Sequence, residues 1–178
     1  MKSIKNNITV ECVKGNIVAQ TDITAIVNAA NARLMPGGGV AGAIHRAAGP
    51  GLIEECRSLA PIRPGEAVIT RGYKLPNAYV IHCLGPIYGV DKPEDKILTD
   101  CYGNALRLAE DHKIDSICFP AISTGAFGYP MEDAAEIAFR TIMEMIPKLS
   151  HVKRIRFVLH SDNDLRIHEK VLKDVLGE

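Results

Sequence analysis

Short apolar runs alternate with stretches of helical periodicity along nearly the whole chain, and this alternation restricts the fold more than any other feature. Ile8 to Val13 alternates with period two, as a half-buried strand does. Ala25 to Val27, Ala67 to Thr70, Tyr79 to Cys83, Ser116 to Phe119 and Ile155 to Leu159 read as further strands. Between them, Ala41 to Ala48 and Leu52 to Leu59 carry helical spacing, split by Gly49-Pro50-Gly51. Ile97 to Asp111, Asp133 to Ile146 (halted before Pro147) and Leu165 to Leu176 read as three more helices. Buried strands separated by helices predict an α/β protein whose mixed sheet is covered on both faces. The 178 residues show no repeat, linker or low-complexity segment, so a single domain spanning 1–178 is expected.

Two glycine-bearing loops follow strands and lead into helices. The first runs from Asn28-Ala29-Ala30-Asn31 through Gly37-Gly38-Gly39 into Val40-Ala41-Gly42-Ala43-Ile44-His45. The second is Pro120-Ala121-Ile122-Ser123-Thr124-Gly125-Ala126-Phe127-Gly128-Tyr129. Glycine lets the backbone approach a ligand and turn its N–H groups inward, and a helix N-terminus behind the loop favours negative charge. Ligands of such sheets bind beyond the carboxyl ends of the strands. Both loops lie there, so they predict an anion cradle that grips a diphosphate from two sides.

Other anion sites fit less well. Gly37 to Gly42 satisfies G-x-G-x-x-G, but the preceding strand ends near Asn28 and no acidic residue stands in Arg57-Ser58-Leu59-Ala60-Pro61-Ile62-Arg63, which argues against a dinucleotide fold. No Gly-Lys-Ser/Thr supports a triphosphatase loop, and neither a His-Glu-x-x-His motif nor the spacing of the six histidines points to a metal. Lys+Arg and Asp+Glu both total 21, so no broad basic surface is available for nucleic acid. The five cysteines are widely spaced and read as buried free thiols of a reducing, cytoplasmic setting. The first residues lack the apolar stretch of a signal peptide, and no run reaches the length of a membrane span.

Several residues in and near the loops carry two readings each. Asn28 and Asn31 suit turn chemistry as well as ligand contact. His45 lies one helical turn after Ala41 and is either a packed histidine or part of the site. Ser123 and Thr124 lack a nucleophile elbow, so hydrogen bonding to phosphate fits them better than covalent chemistry. Phe127 and Tyr129 read either as core or as the wall of a sugar site.

The ordered set of segments resembles the macrodomain family, closest to its MacroD-type branch. The matching segments are Val13-Lys14-Gly15-Asn16-Ile17, Ala25 to Asn31, the triple glycine with Ala43-Ile44-His45-Arg46-Ala47-Ala48-Gly49-Pro50, and Gly65-Glu66-Ala67 with Gly72-Tyr73-Lys74-Leu75-Pro76. Tyr79-Val80-Ile81-His82 with Gly85-Pro86, and Phe119 to Gly125, complete it. The resemblance implies a three-layer α/β/α sandwich, without a cofactor, that binds ADP-ribose. It further implies hydrolysis of ADP-ribosyl esters, either mono-ADP-ribosylated Asp or Glu on proteins or O-acetyl-ADP-ribose, with a non-catalytic ADP-ribose reader as the alternative. By similarity, Asn31 holds the distal ribose and His45 supports it, with Asn28 nearby. Gly38, Gly39, Val40 and Ala41 wrap one face of the diphosphate, while Ser123, Thr124, Gly125, Ala126 and Phe127 close the other. Asn16 and Ile17 form the adenine pocket and His160 stacks on the base.

Three positions depart from the family pattern. The usual Gly-Asp-Ile is Gly15-Asn16-Ile17, whose amide oxygen accepts a hydrogen bond without charge assistance. His160 stands where many relatives carry a larger aromatic ring. Ala41 stands where MacroD-type hydrolases carry an Asp proposed to activate water, so no carboxylate base acts from that position. Water attack aided by the ligand's own phosphate is the route that remains open to a hydrolase of this kind.

Overall fold

The computed structural model describes all of residues 1–178, in the element order β1 (Lys2–Lys5), β2 (Ile8–Lys14), β3 (Ala25–Ala29), α1 (Gly39–Ala48), α2 (Pro50–Leu59), β4 (Ala67–Arg71), β5 (Tyr79–Cys83), α3 (Glu94–Asp111), β6 (Ser116–Phe119), α4 (Met131–Met145), β7 (Arg154–Leu159) and α5 (Asp162–Leu176). The strands form one sheet in the order β1-β2-β7-β6-β3-β5-β4. β2, β7, β6, β3 and β5 run parallel, while β1 and β4 pair antiparallel at the two edges.

Strand alternation assigns side chains to the two faces. Ala25 and Val27 of β3, Ile117 and Phe119 of β6, and Ile155 and Phe157 of β7 pack into one core with α3, α4 and α5. Ile26, Cys118 and Val158 from the same strands face α1 and α2. The result is the three-layer α/β/α sandwich with a mixed sheet. The first core is aromatic: the ring of Phe157 lies 5.5 Å from that of Phe119 and 4.7 Å from that of Phe139. The second is aliphatic and smaller.

Gly49 ends α1 and caps α2, with Pro50 in the first helical position where its missing N–H is no loss. β1 has no counterpart among the strands expected from sequence. Lys2-Ser3-Ile4-Lys5 offers no apolar alternation, and main-chain pairing with β2 holds it as an exposed edge. All five cysteines are buried and unpaired. No helix is long and apolar enough to cross a membrane.

Candidate functional site

The parallel strands β7, β6 and β3 are neighbours, so the segments leaving their carboxyl ends meet above one stretch of sheet. They enclose a cleft of about 530 Å³, within the roughly 300–1,000 Å³ common for small-molecule sites. The β3–α1 loop contributes Asn31 and Gly37 to Ala41, and the β6–α4 loop contributes Pro120 to Phe127. His160 and Asp164 enter from the β7 side.

The first loop is braced by its own residues. Asn31 Nδ2 donates to the Met35 carbonyl at 2.8 Å, and Asn31 Oδ1 accepts from the Met35 N–H at 3.0 Å. One amide hydrogen and one oxygen lone pair stay available on that side chain. Gly42, in the first turn of α1, abuts the Gly37 carbonyl so closely that a Cβ there would lie 2.3 Å from its oxygen. The glycine N-cap Gly38 offers no side-chain acceptor, and the N–H groups of Gly39, Val40 and Ala41 donate to nothing within the protein. These are the open donors of a helix N-terminus, carrying its positive partial charge.

In the second loop, Thr124 Oγ1 donates to the Ala121 carbonyl at 2.7 Å, and the Tyr129 N–H to the Ser123 carbonyl at 2.8 Å. Ser123 takes a left-handed backbone conformation (φ 68°), and its buried hydroxyl has no partner. The N–H groups of Gly125, Ala126 and Phe127 also donate to nothing within the protein. A run of three consecutive unpaired amides therefore stands on each loop, with those of Gly37, Gly38 and Ser123 also unpaired, in a lining without a lysine or arginine. An anion held there takes its hydrogen bonds from main chain.

Of the residues expected at the site, Asn31, Gly38, Gly39, Val40, Ala41, Ser123 to Phe127 and His160 line this cleft. Asn16, Ile17, Asn28 and His45 do not. Asn16 is exposed and caps a 3₁₀ turn at Ile17–Ala19, its Oδ1 accepting from the Val18 N–H at 3.2 Å. Ile17 is buried against the α1–α2 core. Asn28 is buried opposite His82 on the neighbouring strand, and its Nδ2 donates to His82 Nδ1 at 3.0 Å. With Nδ1 accepting, the His82 ring proton resides on Nε2, which donates to Thr70 Oγ1 at 2.9 Å. Burial and the neighbouring His45 push His82 down to about 3, so it is neutral at physiological pH. His45 is buried, its affinity for a proton is lowered by that burial, and neither ring nitrogen has a partner. Phe127 lines the cleft, whereas Tyr129 is core, its ring 4.8 Å from that of Tyr88.

Gly85, Met131, Val158, Leu159 and Asp164 line the cleft without having been singled out as site residues. Gly85 lies two residues beyond the end of β5, and this near-strand-end position is the signal that marks it. A Cβ at Gly85 would lie 2.1 Å from Ser123 Oγ, so the second loop requires glycine there.

An α/β/α sandwich with paired amide-rich loops at its strand ends defines an anion-binding protein of the nucleotide-phosphate class. The chain belongs to the Macro domain family, whose pattern residues 27–138 match. It is 47% identical over 168 residues to a Macro domain-containing protein of Chlorobaculum tepidum, covering 94% of this chain and 97% of that one. It is 44% identical over 167 residues to an O-acetyl-ADP-ribose deacetylase of Klebsiella pneumoniae, covering 91% and 95% respectively. The Oceanobacillus iheyensis macrodomain, solved with ADP, superposes with a TM-score of 0.94 at 41% identity over 99% of this chain and 96% of that one.

Proposed function

We propose that this protein binds ADP-ribose in the cleft and hydrolyses ADP-ribosyl esters, either mono-ADP-ribosylated Asp or Glu on proteins or O-acetyl-ADP-ribose. The observation that carries this reading is the set of unpaired main-chain amides on both loops, Gly39 to Ala41 facing Gly125 to Phe127 across one cleft. A diphosphate supplies acceptor oxygens on both sides, and fixed amides hold it without the desolvation cost of burying lysines. The Klebsiella relative is named for deacetylating O-acetyl-ADP-ribose, which is consistent with ester hydrolysis.

Asn31 stands at the β3 end of the cleft, where its free amide hydrogen and oxygen lone pair suit the hydroxyls of the distal ribose. Ala41 occupies the first turn of α1 and offers no group to take a proton from water. In our reading the attacking water gives its proton to a phosphate oxygen of the bound ligand, whose position the two loops fix. His45, on the buried face of α1 itself and with its affinity for a proton lowered by burial, packs that helix against the rest of the layer.

The test is release of ADP-ribose from an automodified transferase domain at stoichiometric protein. Release is expected, with the Asn31→Ala variant at least tenfold slower. Release no faster than that variant would overturn hydrolysis. Ala41 favours a second reading, a reader that holds ADP-ribose without turnover. Under it the parent binds but is inert, and Ala41→Asp gains turnover by supplying a base worth a factor on the order of 10²–10⁴.

A further inference from the structure

Large apolar side chains stand exposed at few places on this molecule, and most of them gather at one end of the cleft. Six are exposed, and Met35, Ile87, Tyr88 and Val90 account for four of these. Met35 belongs to the first loop, where the Asn31 side chain brackets it. The other three lie between β5 and α3. β5 pairs with β3 on the side away from β6, so the segment leaving β5 flanks the cleft at its Asn31 end. Gly85 of that segment lines the cleft, and the Tyr88 N–H donates to the carbonyl of Phe127, another lining residue, at 2.8 Å. Isolated surface hydrophobics are ordinary, whereas several gathered beside a ligand site mark a contact surface.

The turn that carries Ile87 and Val90 is ordered. The Val90 and Asp91 N–H groups both donate to the Ile87 carbonyl, at 3.0 and 2.9 Å, and the Asp91 carboxylate accepts from the Ile87 N–H at 2.8 Å. Gly89 takes the left-handed conformation (φ 80°) that the turn needs. Tyr88 stays 43% exposed although its ring packs against that of Tyr129, and Val90 is 68% exposed. Self-bracing thus holds apolar side chains out in water. A partner that covers them removes apolar surface from water without the entropic cost of ordering a loop.

Resting on the ADP-ribose reading above, which puts the distal ribose at Asn31, we infer that this turn and Met35 dock the polypeptide that carries the ADP-ribose, through apolar residues flanking its modified Asp or Glu. The ester leaves the cleft at the Asn31 end, so whatever is joined to it emerges beside these side chains. The acetyl group of O-acetyl-ADP-ribose ends at the ester and offers no further surface to cover them. A second copy of this chain seated there would obstruct the exit that a protein-linked ligand needs. The acceptor polypeptide is the one partner that the ligand itself delivers to this place, and the linkage raises its local concentration, so a weak apolar contact suffices. The substrate class the site favours is thereby ADP-ribosylated protein rather than the acetylated metabolite.

The experiment is calorimetric titration of the full chain with ADP-ribose and with a peptide that carries ADP-ribose on a side chain through an unhydrolysable linkage, apolar residues flanking the modified position. Wild type is expected to bind the peptide at least tenfold more tightly than ADP-ribose. Ile87→Ser/Val90→Ser should bring the two affinities within threefold of each other, while its ADP-ribose affinity stays within twofold of wild type. The same peptide with serines as its flanking residues should lose the advantage on wild-type protein, and this measurement decides if the double variant does not fold. Equal wild-type affinity for peptide and ADP-ribose, an advantage retained by the double variant or by the serine peptide, or an equal loss of both ligands in the variant would overturn the docking assignment. So would sedimentation showing a wild-type dimer that the double variant dissociates, since a second copy then covers the patch. Wild-type protein that binds neither ligand would overturn the ADP-ribose reading itself, and the docking assignment with it.

Discussion

The two loops that border the cleft each present a run of three consecutive unpaired amides, Gly39 to Ala41 and Gly125 to Phe127, but are held in place by different means. The β3–α1 loop closes on itself: Asn31 brackets Met35 with two hydrogen bonds, the Leu34 N–H donates to the Asn31 carbonyl at 3.1 Å, and Gly42 seats against the Gly37 carbonyl. Its ties to the rest of the molecule include the buried Leu34 and Ala30 side chains, a hydrogen bond from the Ala30 N–H to the Cys83 carbonyl at 2.9 Å, and one from the Ile62 N–H to the Ala32 carbonyl. The β6–α4 loop has internal bonds too, yet distant elements clamp it. The hydroxyl of Tyr102 in α3 accepts from the Ile122 N–H, the Tyr88 N–H donates to the Phe127 carbonyl at 2.8 Å, and Gly85 makes room for Ser123. Pre-organised donors need rigid support, and here one loop derives it from local sequence and the other from tertiary packing.

The largest expected effect breaks the self-braced loop. In Gly42→Ala the new Cβ meets a backbone oxygen at 2.3 Å, so the Gly37 segment must move. Hydrogen bonds to charged groups contribute roughly 1.5–3 kcal/mol each, so misplacing two of the three amides lowers ADP-ribose affinity by at least about 100-fold. Calorimetry on folded variant protein measures this, and affinity within threefold of wild type would show that self-bracing does not aim the amides. A smaller loss is expected from Gly85→Ala, about tenfold, because it meets the Ser123 hydroxyl at 2.1 Å and the Ile122 side chain at 2.6 Å rather than backbone. Ser123→Gly suits the left-handed backbone there. The double variant Gly85→Ala/Ser123→Gly should therefore recover most of the lost affinity. Failure to recover would place the constraint elsewhere in the loop.

The same difference explains what the sequence made legible. Helix period and strand alternation are local, so the sandwich and every interior strand could be read from neighbouring residues; the polar edge strand β1, held by main-chain pairing, could not. The triple glycine and Asn31 announced the first loop because its supports lie within one short segment. Gly85, Tyr102 and Tyr88 act on the second loop across the fold, and no spacing rule connects them to Ser123 or Phe127. Asn28 and His45 show the limit in another way. Each sits beside loop residues in the chain, but strand alternation and helix phase turn them toward the α1–α2 layer and away from the cleft lining, where Asn28 meets His82. Asp164 lies in the first turn of the last helix, where an acidic residue also fits ordinary helix-dipole chemistry, so its place in the cleft lining was not legible from position alone.

Tyr102→Phe should give the smallest effect and separates clamping from aiming. Tyr102 is fully buried in the aromatic core, with its ring 5.1 Å from that of Phe119, and phenylalanine preserves that packing. Only the hydroxyl is lost, leaving the buried Ile122 N–H without its acceptor at 3.3 Å. An unsatisfied buried amide costs about 1–3 kcal/mol, and so long a bond belongs at the lower end. Thermal unfolding should therefore fall by roughly 2–4 °C, as about 1 kcal/mol does for a domain of this size. ADP-ribose affinity should change less than threefold, because Ile122 is not one of the amides left open to the ligand. A loss of affinity as large as that of Gly85→Ala would mean the Tyr102 hydroxyl sets the aim of Gly125 to Phe127 as well as the stability of the loop. An unchanged melting temperature would instead assign the clamp to the other distant contacts that reach this loop, Tyr88 and Gly85 and the core packing of Ile122 among them.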